Sequence, residues 1–226
     1  MCHVVARFDS SVRCERVVGA MGSLLDGEPS IYVPDGARIT GGRGDAFVRI
    51  DWAEHDRRQR TGLKAITQLW HLDMLMNLPL DEPVAADTLT SDEQWCLDRV
   101  PAGAVERDGR WAIRRCKPVT TIAAVVLWGS HLHKLLKGVA PFARVAQRML
   151  VLDHVPEQFD QIAWEARYQG TGVWAATDTE AIELIAPEPV RPRYYTPARW
   201  KANEYAYRAW LTMQKQPERA SQGYPA

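Results

Sequence analysis

The stretch TIAAVVLWGSHLHKLLKGVAPFARVAQRMLVLDHVPEQFDQIAWEARYQGTGVWAA, residues 121–176, decides the fold. Thr121 to Trp128 is an apolar, partly β-branched run, which by length and flanks reads as a buried strand. Gly129 and Ser130 open a helix from about His131 to Gln147, with a break near Gly138 and Pro141. Met149 to Leu152 is a second buried strand. From Pro156 to Gln169, Phe159, Ile162, Ala163 and Ala166 recur at helical spacing, Gly170 ends the helix, and Gly172 to Ala176 is a third strand. Strand, helix, strand, helix, strand is the α/β pattern, and right-handed crossovers make such strands parallel.

On the N-terminal side of this unit, Asp108-Gly109 lies between alternating residues of Val105 to Ile113, which predicts a hairpin. Asp92 to Val100 reads as a short helix, after a polar loop from Asp81 to Ser91. The longest predicted helix runs from Ala53 to Asn77, with Leu63, Ile66, Trp70 and Met74 on one stripe. Further upstream the pattern gives strands at Val4 to Phe8, Ser30 to Val33 and Ala46 to Ile50. It also gives a helix over Ser11 to Leu25, capped by Ser10 or Ser11. On the C-terminal side, Asp178 or Thr179 caps a short turn before Pro187. Pro189 and Pro192 make an extended linker, and Pro197 starts a helix reaching about Lys215.

The expected class is therefore α/β: a mixed sheet with a parallel core in the second half, an irregular α+β N-terminal half and a C-terminal helix. Residues 1–100 form the α+β half, with a separate lobe left open. Residues 101–187 form the α/β core, and 188–226 the linker, helix and tail. The 226 residues suffice for a core without staples. No apolar run is long enough to span a membrane and the N-terminus does not read as a signal peptide, so a cytoplasmic protein is expected. Cys2, Cys14, Cys96 and Cys116 form no C-x-x-C pair and are expected to be reduced. The formal net charge is zero, so any polyanion must be held by a local patch.

The order of parts from Thr121 to Ile185 resembles the back half of the PD-(D/E)XK, or restriction-endonuclease-like, nuclease superfamily fold. In that superfamily, the strand matching Ile122 to Leu127 carries an acidic residue and, two residues on, a lysine. These hold a divalent metal and orient the attacking water. Here the strand reads Ile122-Ala123-Ala124-Val125-Val126-Leu127 and offers no oxygen ligand. Asp51 or Asp98 supplies at most one upstream carboxylate. The resemblance thus implies a degenerate nuclease-like core that binds rather than cuts.

The patch that suits binding lies further on. Arg191, Arg193, Arg199, Lys201 and Arg208 face a single acid, Glu204, and are interleaved with Tyr194, Tyr195, Trp200, Tyr205, Tyr207 and Trp210. Cations that meet phosphates and rings that stack on bases make a single-strand binding surface. The competing structural reading docks a helix through Trp200, Tyr207 and Leu211 with its arginines in water; the two are compatible. A cluster at Arg57, Arg58, Arg60 and Lys64, and another at Arg114, Arg115 and Lys117, read as solvated faces. His131, His133, Asp153 and His154 are the one metal-like set, because residues past the carboxyl ends of parallel strands can converge. Gly41-Gly42-Arg43-Gly44-Asp45 lacks the Lys-Ser/Thr and the helix of a phosphate loop, and reads as a turn.

Three functions follow as expectations. The first is a nucleic-acid-associated accessory protein of the phage, plasmid or defence type, without a cofactor. The second is a metal-dependent hydrolase or nuclease using the His/Asp set. The third is a structural or assembly subunit whose nine tryptophans serve as core and interface anchors, in a complex or homo-oligomer.

Overall fold

The computed structural model describes residues 11–22, 25, 29–177, 180–190 and 194–215. The expected strand at Val4 to Phe8 and the turn cap at Asp178 or Thr179 lie outside them. The chain is α/β, as its pattern predicts. Helix α1 (Ser11–Gly22) precedes a hairpin of β1 (Ile31–Ile39) and β2 (Gly42–Ile50). Ile39 pairs with Gly42, so the glycine-rich run is a turn through Thr40 and Gly41, with Gly41 at φ 81°. Both strands run longer than their sequence suggests. A register shift between Val33 and Ala37 interrupts the apolar alternation that would have extended β1, and Asp35 takes a φ of 53° within it.

The helix expected from Ala53 to Asn77 is two helices, α2 (Trp52–Thr61) and α3 (Leu69–Asn77). Asp51 caps α2 by accepting from the Glu54 N–H, and Gly62, left-handed at φ 69°, ends it. Leu63, Ile66 and Met74 are buried as their spacing implies, but Trp70 is 39% exposed. Next come β3 (Pro83–Ala85) and α4 (Ser91–Leu97), which Thr90 and Glu93 open with a reciprocal capping box. The predicted hairpin forms from β4 (Val105–Asp108) and β5 (Trp111–Arg114), closed by Gly109 and Arg110.

The second half follows its pattern closely: β6 (Thr120–Gly129), α5 (Leu132–Val139), a 3-10 turn (Ala140–Arg144), β7 (Gln147–Leu152), α6 (Phe159–Tyr168) and β8 (Gly172–Ala176). Where a turn was expected before Pro187, Ala181–Ile185 forms a further strand, β9, antiparallel to β8. Helix α7 spans Pro197–Gln214.

The large sheet has the order β1-β2-β6-β7-β8-β9, with β6, β7 and β8 parallel and the other pairs antiparallel. A small antiparallel sheet has the order β3-β5-β4. Strands from the first fifty residues therefore join the same sheet as the α/β unit, and the grouping cuts across a boundary near residue 100. One face of the large sheet packs on α5, the 3-10 turn and α7 through Val125, Leu136, Phe142, Ala206 and Tyr207. The other face meets Val17 and Met21 of α1. A separate core of Leu72, Leu75, Leu97, Ala112 and Trp200 lies under the small sheet. Helix α7 contributes Trp200 to that core and Ala202, Ala206, Tyr207 and Trp210 to the main one, so it joins the two.

Candidate functional site

Helix α7 starts where Thr196 accepts the Arg199 N–H, with Pro197 in the first turn. Its sequence looks polar, yet Trp200, Asn203, Glu204, Tyr207 and Trp210 are all buried. Asn203 explains part of this: its backbone carbonyl accepts from Thr120 Oγ1 at 2.6 Å, and its amide oxygen accepts from the Ile122 N–H at 3.1 Å. These bonds tie the helix to the start of β6.

Glu204, the one acid of the 191–210 stretch, also points inward. Its carboxylate accepts a two-pronged contact from Arg58, at 2.7 and 2.8 Å. It further accepts from Trp200 Nε1 and from the Ile66 N–H, both at 2.9 Å. Arg58 also donates to Glu54 and to the Lys117 carbonyl, and Arg57 binds Glu54 through two nitrogens. Burial disfavours the charge of Arg58, but the two carboxylates outweigh it and its pKa is raised. Arg58 is therefore no part of a solvated face: it is fully buried. Beside it, burial pushes the Cys116 thiol up to about 12, which keeps it protonated and unreactive.

Removing Glu204 from the surface leaves the start of α7 basic. There a cavity of about 1040 Å³ opens, lined by Arg38 from β1, Arg144 from the 3-10 turn, and Arg199 and Lys201 from α7. Tyr194 and Tyr205 line it as well, and no carboxylate does so among the described residues. None of those four cations has an ion-pair partner among the described residues. Arg38, Lys201 and Arg208 gather around the Tyr205 ring, at 5.5, 5.9 and 4.9 Å from its centre. Arg199 lies over Tyr195 at 5.4 Å. The Tyr195 hydroxyl turns inward to accept from Asn203, and burial pushes its pKa up to about 12.

The sequence patch is thus partly assembled. Tyr194, Arg199 and Lys201 reach the cavity, Arg208 stands beside it over Tyr205, and Tyr195 is anchored at its edge. Trp200 does not join: at 1% exposure it belongs to the core under the small sheet. Arg191 and Arg193 lie outside the described residues. Arg38 and Arg144 are additions that pattern reading missed, because each is a lone arginine in an element far away in sequence.

The other basic clusters are largely neutralised within the chain. Arg115 binds both Asp81 and Glu106, and Lys117 pairs with Asp51. The Arg114 guanidinium donates to the Leu75 carbonyl. Arg60 and Lys64 remain exposed.

The His/Asp set does not converge. His133 faces Glu165 at 3.4 Å, Asp153 contacts its neighbour His154 at 2.7 Å, and His131 precedes α5. Among the described residues no three His, Cys, Asp or Glu side chains stand together as a metal site. In β6, Ile122, Val125 and Val126 are buried apolar positions. No helix of the described chain is long and apolar enough to cross a membrane.

Comparisons with family models, with curated proteins and with solved structures return no match for this chain.

Proposed function

We propose that this chain binds nucleic acid through the basic cavity at the start of α7, and does so without cleaving it. The observation that carries the reading is the cavity itself. It gathers Arg38, Arg144, Arg199 and Lys201 from three elements, without a carboxylate among the described residues, in a protein of formal net charge zero. Like charges held together this way repel one another, and a phosphate chain relieves that repulsion while releasing its own counterions. Tyrosines set among the cations add ring surface suited to bases.

Binding rather than cutting is supported by what the nuclease-like reading of residues 121–185 requires. On that reading β6 would carry the metal ligands, and Ile122 to Leu127 supply none. The His/Asp alternative lacks a convergent ligand set.

Fluorescence anisotropy with labelled single-stranded DNA at rising salt tests the proposal. Affinity should fall steeply with salt, by a slope of about 0.7 in log units for each phosphate neutralised. Reversing Arg144, Arg199 and Lys201 to Glu should abolish binding and leave the circular dichroism spectrum intact. A triple variant that binds as tightly as the parent would rule out the cavity.

A further inference from the structure

We infer that the ligand of the cavity is an unpaired strand, one base of which stacks on Tyr194; this rests on the nucleic-acid reading above. The assignment follows from what each ring near the cavity is already doing. Trp200, Tyr207 and Trp210 are 1%, 1% and 4% exposed and belong to the cores. Tyr205 is half-buried and its ring is already engaged by three cations, Arg38, Lys201 and Arg208. It acts as a positioning residue, holding cations of two elements around one electron-rich ring. Tyr195 is held by Arg199 over its ring, by the Trp200 ring 6.4 Å away, and by Asn203 at its hydroxyl.

Tyr194 differs from all of these. It lines the cavity, is 80% exposed, and has no ring, cation or hydrogen-bond contact among the described residues. A large ring left in water beside four cations is suited to one ligand chemistry above others, a flat π-face carried on an anionic backbone. Duplex bases are stacked on one another and have no free face to offer, so the strand must be unpaired where it meets Tyr194. Because every base has such a face, the contact adds affinity with little sequence preference.

The test compares three probes on the full chain by anisotropy: a short oligothymidylate, an abasic strand of equal length and charge, and a blunt duplex. The parent should bind oligothymidylate about tenfold more tightly than the abasic strand, as one stacked base provides. Tyr194→Ala should lower oligothymidylate affinity to the abasic level, with abasic affinity and salt slope unchanged, and Tyr194→Trp should restore it. Tyr205→Leu should weaken both strands and flatten the salt slope, whereas Tyr205→Phe should keep both. The inference is overturned if Tyr194→Ala weakens both strands equally or neither, or if duplex binds as well as oligothymidylate. Those results with salt-sensitive binding intact leave the nucleic-acid reading standing. Absence of salt-sensitive binding to any probe overturns both.

Discussion

Glu204 shows how one side chain sets the character of a surface. Were it turned outward, it would neutralise the cavity; turned inward, it neutralises Arg58 and satisfies the Trp200 indole and the Ile66 amide. A buried pair of this kind adds little net stability compared with apolar residues of equal size, yet losing one partner is costly because a bare charge stays behind. Glu204→Gln should therefore destabilise the fold by about 3 kcal/mol, since Glu54 still partners Arg58. Adding Arg58→Met in the same chain should recover part of that loss. Urea denaturation of the two single variants and the double variant measures this, and strictly additive losses would contradict the coupling.

At the scale of elements, the break between α2 and α3 turns on Gly62. Its φ of 69° suits glycine, and an added Cβ would meet nothing within 4 Å. Gly62→Ala should consequently cost about 1 kcal/mol through backbone strain alone, and Gly62→Asn less. A stability unchanged by alanine would mean that the turn relaxes. This break was not legible in the sequence because Leu63 and Ile66 share helical spacing with Trp70 and Met74, which carries the periodic stripe through the connecting segment. Gly62 ends α2, and the segment that follows is held from far away in the chain, where the Ile66 N–H donates to Glu204. The strand–helix–strand unit from β6 to β8 was legible, because β-branched runs and helical periodicity are local signals. Strand β9 was missed where Ala181 to Ile185 is too short to show its period. The candidate site divides in the same way. Arg199, Lys201 and Tyr194 form a visible cluster of composition, whereas Arg38 and Arg144 join it only because the fold brings β1 and the 3-10 turn to the same cavity.

On the scale of the whole molecule, zero net charge conceals an uneven distribution. Arg57, Arg58, Arg115 and Lys117 are spent on ion pairs within the chain, and the cations around the cavity are not. Because α7 joins the two cores, repulsion among cations at its start acts on the element that holds the molecule together. Two consequences follow for thermal stability at low ionic strength. A bound oligonucleotide relieves the repulsion and binds only the folded state, so it should raise Tm by the ordinary linkage of ligand binding to folding. Neutralisation of Arg144, Arg199 and Lys201 to Gln removes the like-charge cluster, so the variant should melt no lower than the parent and gain little from oligonucleotide. Added salt should narrow the difference between the two proteins, since exposed charges are screened over about 10 Å at 0.1 M. Thermal melts of both, with and without oligonucleotide and at two salt concentrations, test the linkage. An equal oligonucleotide-induced rise in parent and variant would place the ligand on another surface of the protein.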